Sequence, residues 1–230
     1  MEYAAPRPGL EAAGDVSFVH RVFGWMFLGL AVTGGVSAFL SATLSDEFLE
    51  DTGMPYFLGA IVLELVLVLG LVFLIKRMSS TVALGAFLLY AALNGFTFAF
   101  IFHLYTTASV FTAFFVTAGM FGAMAVYGWV TKRDLSGLGS ILFMALIGLI
   151  LASVVNLFLA SDVLYWITTY AGVVIFAGLT AYDMQKIKRY DEAGVDEETE
   201  RKDSIIGALS LYLDFINLFL FLLRIFGARR

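Results

Sequence analysis

Seven long apolar runs, at 22–44, 57–75, 82–102, 109–130, 138–160, 163–182 and 205–226, alternate with short polar connections along the 230-residue chain. Each run is close to or above the ~20 residues that an α-helix needs to cross the hydrocarbon core of a bilayer. The connections are too short to hold a separate soluble domain. The pattern therefore predicts an all-α, polytopic integral membrane protein, in contact with the lipid bilayer over most of its surface. Its expected parts are an N-terminal tail over 1–21 and a single membrane domain over 22–230, with an acidic loop at about 186–203. The first run is longer than the apolar core of a typical signal peptide, so it is expected to be an uncleaved span.

Composition agrees with this pattern: 60% of residues are hydrophobic and only 14% are charged, where a soluble domain carries roughly a quarter charged residues. There is no cysteine, which excludes disulfides, thiolate metal sites and a cysteine nucleophile. The net charge of −5 comes without any basic patch, so nucleic acid is not an expected partner. Lys and Arg set the orientation, because short cytoplasmic connections are enriched in them. Lys76 and Arg77 follow the second run, Lys132 and Arg133 the fourth, and Lys186, Lys188, Arg189, Arg201 and Lys202 the sixth, whereas the alternate connections hold none. The N-terminus is thus expected in the cytoplasm, with a bacterial inner membrane as the expected location. Arg224, Arg229 and Arg230 then lie outside if the last run crosses fully, the reading favoured by its length, and inside if it is re-entrant.

Arg77, Arg133 and Arg189 recur at a constant spacing, each preceded by Lys. The spacing reads as three helical hairpins of equal length followed by a solitary helix. Ala118/Gly122 and Gly119/Ala123, each pair four apart, are expected at close helix packing. The stretch 186–203 mixes acids with bases and reads as a solvated connector; a calcium-attracting patch is the sharper alternative.

The most informative chemistry is a carboxylate where water is scarce. Asp214 lies near the middle of the last apolar run, and Asp183 follows the end of the preceding one in Thr180-Ala181-Tyr182-Asp183. Ionisable groups inside a membrane are costly and mark functional sites. Two such acids on successive helices point to a proton-sensitive site, provided that the sixth helix extends past Tyr182 or that the two helices are offset.

These two aspartates, the run Leu211-Tyr212-Leu213-Asp214-Phe215-Ile216-Asn217-Leu218-Phe219, the acid Glu64 in the second run and the closing Arg224 together resemble the Bax inhibitor-1 (transmembrane Bax inhibitor motif) family. The resemblance covers essentially the whole chain after the N-terminal tail. It implies a seven-helix bundle with the last helix central, and a pH-sensitive calcium leak in which Asp183 and Asp214 form the proton sensor. The long acidic linker between the two is a departure from that pattern.

Two carboxylates in a low-dielectric setting share a proton and titrate in two separated steps. Calcium, as transported ion rather than cofactor, takes ~6–8 oxygen ligands, so the pair offers it transient coordination, with water and Asn217 completing the set. Glu64 and Arg224 lie at similar expected depths, which allows an ion pair serving as an outer gate or as a structural tie. Asn94, Asn156 and Asn217 read as interhelical hydrogen-bonding groups, and His103, at a loop mouth, as incidental. A different class, a membrane-embedded regulator of cell death or of a membrane protease acting through a protein partner, fits the same resemblance. A remote alternative is an intramembrane aspartyl protease. That family carries Gly-x-Gly-Asp where this chain has Leu211-Tyr212-Leu213-Asp214, so no enzymatic activity is expected.

Overall fold

The structure, a computed structural model, describes residues 11–45, 47–48, 53–190 and 197–228. Seven helices account for almost all of them: α1 (Glu11–Thr43), α2 (Met54–Leu74), α3 (Ser80–Leu104), α4 (Thr107–Val130), α5 (Ser136–Leu159), α6 (Asp162–Tyr190) and α7 (Glu197–Phe226). All seven are long and apolar enough to cross a membrane. Their starts follow local chemistry. The Ser79 hydroxyl accepts from the Val82 N–H ahead of α3, and the Thr106 hydroxyl accepts from the Ser109 N–H ahead of α4, each satisfying an amide that the helix leaves open.

Two boundaries differ from the sequence expectation. α1 already begins at Glu11, which shortens the tail expected over 1–21; residues 1–10 lie outside the described residues. The loop expected at 186–203 is helical on both flanks, and 191–196 lie outside the described residues. On the α7 side, Arg201 pairs with Glu197 at 2.7 Å and Lys202 with Glu198 at 3.6 Å. Opposite charges four residues apart support a helix that continues beyond the apolar run.

The central element is α7, packed by α1, α3, α4 and α6. In its crossing stretch 67% of residues are buried, against 11% in α2 and in α5. α2 packs chiefly on α3, and α5 chiefly on α6. The chain thus forms two three-helix units, α1–α2–α3 and α4–α5–α6, in each of which the third helix lies against both others. This corrects the hairpin reading for its first two pairs, since α1 packs on α3 rather than α2 and α4 on α6 rather than α3, while α5 does pack on α6 as expected. The physical reason is that α2 and α5 are the most apolar of the seven. Lipid tails accept them as readily as protein does, so they can stay at the periphery.

α7 crosses the full height of the bundle. At its start the Glu198 carboxylate accepts from both the Ser80 N–H and the Ser80 hydroxyl, each at 2.8 Å. At its end the Thr106 N–H donates to the Ala228 carbonyl at 3.1 Å, and the Ala228 N–H donates to the Ser109 hydroxyl at 2.9 Å. Ser80 and Thr106 flank the two ends of α3, so α7 runs alongside all of it and does not re-enter. The end of the bundle holding the α2–α3, α4–α5 and α6–α7 links carries most of the Lys and Arg and is called the basic end below.

Close helix contact occurs at glycines other than those expected. A Cβ on Gly128 of α4 would overlap the Ala181 carbonyl of α6, whereas Gly119 and Gly122 face open space. α4 turns the Ala118–Ala123 stretch partly toward its lipid side, and the tight crossing lies near the basic end.

Candidate functional site

Asp214 is 3% exposed on α7, and its Oδ2 has no hydrogen-bond partner. Asp183 of α6 lies near it, across the α6–α7 seam. Asp183 lies within the helix rather than in a loop because α6 continues two turns beyond Tyr182, to Tyr190. Asp183 borders Gly207 and Ser210 of α7, and Asp214 sits one helical turn deeper than Ser210. The carboxylates are therefore stacked along the α6–α7 seam, with Asp183 nearer the basic end.

Two cavities lie toward opposite ends of the bundle; Asp183 borders the smaller one, and Asp214 borders neither. A cavity of about 540 Å³ extends inward from the end opposite the basic one, between α1, α3, α4 and α7, and reaches Thr33, Phe215 and Phe219. Its walls are mainly apolar. From the basic end comes a much smaller space of about 10 Å³, bordered by Asp183, Lys186, Asp203 and Ser210, room for about one water. Asp214 is adjacent in α7 to Phe215 on the wall of the large cavity.

The inner end of the large cavity is closed by a polar node that sequence reasoning did not assign. The Tyr212 hydroxyl lies 2.7 Å from Thr33 Oγ1, which also lies 2.8 Å from the Ala91 carbonyl and 3.0 Å from the Gly29 carbonyl. Phe87 and Tyr90 meet the Tyr212 ring edge-on, at 5.5 and 5.9 Å between centroids. One hydroxyl pair thus ties α1, α3 and α7 two residues from Asp214. The small and polar stripe Gly29, Thr33, Ser37 and Ser41, at four-residue spacing on α1, was the available signal.

On the other side, α6 is held rigidly. The Gln185 carbonyl accepts from the Leu135 N–H at 2.9 Å, and its amide donates to the Arg133 carbonyl at 2.8 Å. Arg189 donates to Asp134 at 2.6 Å and to Ser136 at 3.0 Å, and Lys188 donates to the Trp129 carbonyl at 2.9 Å. The guanidinium of Arg189, aided by the N–H and hydroxyl of Ser136, holds the Asp134 carboxyl well below the usual carboxylate range. The α4–α5 link is thereby fastened to the turns of α6 that follow Asp183. α7 is fastened instead to the first unit, through Glu198 to Ser80 and through Glu200 to Arg21 at 3.1 Å.

The remaining sequence candidates are placed apart. Glu64 sits at the midpoint of α2 and accepts from the Thr97 hydroxyl at 3.0 Å. Arg224, two residues from the end of α7, lies over the rings of Tyr165 and Phe221 at 5.6 and 5.0 Å. The structure does not bring Glu64 and Arg224 together. Ten residues of α2, about 15 Å, separate Glu64 from the helix start, and α2 lies against α3 rather than α7. Asn217 donates to the Leu213 carbonyl and Asn94 to the Tyr90 carbonyl, while Asn156 accepts from the Ser161 N–H. These bonds are local, not interhelical. Among the described residues no group of three or more His, Cys, Asp or Glu converges as a metal site, so the aspartate pair alone offers a cation only part of a coordination shell.

Comparison with known proteins bears on the whole chain. Residues 16–230 match the family model described as inhibitor of apoptosis-promoting Bax1. The chain is 50% identical over 227 residues to the inner membrane protein YbhL of Escherichia coli, covering 98% of this chain and 95% of that protein. It is 44% identical over 213 residues to a protein of Deinococcus radiodurans, covering 93% and 91%. A membrane protein of Streptococcus pyogenes is 43% identical over 217 residues, covering 91% and 92%. A match of this extent, over the same seven helices that carry the stacked aspartates, makes the chain an integral membrane protein of the Bax inhibitor-1 family.

Proposed function

We propose that this protein is a passive, pH-sensitive cation leak with calcium as its cargo, in which Asp183 and Asp214 are both the proton sensor and the narrowest part of the path. The observation that carries this reading is the unpartnered Oδ2 of buried Asp214, near Asp183, which borders the small space at the basic end. A carboxylate without a hydrogen bond in an apolar interior is costly when charged, and a second one beside it adds like-charge repulsion. Either a proton or a cation relieves both costs. Proton and cation therefore compete for the same oxygens, and flux depends on pH.

The ion's route runs between the basic end, which faces the cytoplasm under the positive-inside rule, and the 540 Å³ cavity. The small volume at the basic end makes this conformation a closed one. The Escherichia coli relative is an inner membrane protein, which supports a bacterial inner membrane as the location.

The test is calcium flux into liposomes holding only the purified protein, from acidic to neutral pH, for the parent, Asp183→Asn and Asp214→Asn. The expected result is a pH-dependent flux whose pH response disappears in both variants. No flux above empty liposomes at any pH, from correctly folded protein, removes the autonomous leak and leaves a regulator that needs a protein partner as the leading function.

A further inference from the structure

α6 ends in three basic residues, Lys186, Lys188 and Arg189, which the positive-inside rule treats alike. The structure separates them. Lys188 is taken by the Trp129 carbonyl, with its ammonium 5.2 Å from the Trp129 ring. Arg189 is taken by Asp134, Ser136 and Gln185. Both are turned toward the α4–α5 link. Lys186 points the other way: it borders the small space at the basic end together with Asp183, Asp203 and Ser210. It stands three residues from Asp183 on the same helix face. Its ammonium is 5.8 Å from the Tyr190 ring, one turn further toward the end of α6, a cation–π geometry that holds it at the outer mouth of the small space rather than against the Asp183 carboxylate.

The packing around this space leaves little alternative access. Gly207 is buried where α1, α6 and α7 converge, and a Cβ there would stand 3.2 Å from Ile187 and 3.3 Å from Val22. Apolar side chains thus seal one side of the mouth, and Lys186 stands at the polar side, between the basic-end surface and Asp183.

We propose that Lys186 is a tethered counter-cation: its ammonium, held at the mouth of the small space that leads to Asp183, stands where a hydrated cation arriving from the basic end must pass, so that entry requires its displacement. This rests on the leak reading above and adds to it the element that keeps the path shut. A tethered group competes at an effective concentration of ~mM or more, and an ammonium donates to a carboxylate without needing further ligands. A monovalent ion gains little by replacing one positive charge with another. A divalent ion brings twice the charge to two carboxylates, so Lys186 also acts as a specificity-determining residue that favours divalent over monovalent cations.

Two readouts test this. In the liposome assay, Lys186→Gln is expected to conduct several-fold faster than the parent and to lose discrimination between calcium and potassium. Lys188→Gln, which removes the same charge two residues away, is expected to leave the rate unchanged. Independently of flux, acylation of lysines by acetic anhydride, quantified per peptide by mass spectrometry with Lys188 as internal reference, is expected to proceed several-fold faster at Lys186 in Asp183→Asn. Millimolar calcium is expected to do the same in the parent. Equal flux from Lys186→Gln and the parent overturns the proposal, as does a Lys186 acylation rate indifferent to both Asp183→Asn and calcium. Absence of flux from every protein, parent included, removes the leak reading instead. The acylation rates then decide by themselves whether Lys186 is the counter-cation of Asp183.

Discussion

The Thr33–Tyr212 node makes a quantitative demand on the bundle. Thr33 Oγ1 has one hydrogen and three oxygen neighbours: the Tyr212 hydroxyl, the Ala91 carbonyl and the Gly29 carbonyl. Carbonyls cannot donate, so Thr33 gives its hydrogen to one of them and accepts from Tyr212. The two partners are therefore unequal. Tyr212→Phe removes one interhelical hydrogen bond but leaves Thr33 its carbonyl acceptors, at a cost of about 0.6 kcal/mol, the average for such bonds in membranes. Thr33→Val removes the same bond and also leaves the Tyr212 hydroxyl, on a fully buried side chain, without an acceptor, at a cost of about 1–3 kcal/mol. The double variant has no orphaned hydroxyl at this node, so it is expected to be more stable than Thr33→Val alone. Reversible unfolding by a denaturing detergent, titrated into protein held in mixed micelles, gives all three free energies relative to the parent. A Tyr212→Phe cost equal to that of Thr33→Val, or a double variant less stable than Thr33→Val, refutes the donor assignment and the node with it.

Two further outcomes follow from the packing and from the link clamp. Gly128→Ala is expected to cost about 1–3 kcal/mol by the same unfolding assay, as overpacking does, because the added methyl meets the Ala181 carbonyl; Gly122→Ala, placed in open space, is expected to cost nothing measurable, and equal effects would refute the close α4–α6 crossing. Arg189→Gln is expected to raise the Asp134 carboxyl toward its ordinary value of about 3.9, read by carboxyl carbon NMR. Since Asp134 is depressed in the folded protein, its pairing stabilises above that ordinary value and is lost as pH falls below it, so the variant is expected to show a weaker loss of stability on acidification; an unmoved Asp134 midpoint would refute the clamp.

The parts of this protein that the chain determined by itself are those that depend on local composition. An apolar run of about 20 residues dictates a membrane-crossing helix wherever it ends up, so all seven spans and the polar caps Ser79 and Thr106 follow from neighbouring residues. The aspartates were equally legible, because a charge inside an apolar run is conspicuous without any partner being known. Tertiary structure decided the rest. Hydropathy does not say which face of an apolar helix meets protein and which meets lipid, since lipid tails are as apolar as leucine. Only packing shows that α1 joins α3 across α2's place in the chain, that Gly128 rather than Gly122 takes the close approach, and that Glu64 and Arg224 stand apart. The same holds for the basic residues at the end of α6, identical in charge along the chain and distinguished only by what α4, α5 and α7 place beside each of them.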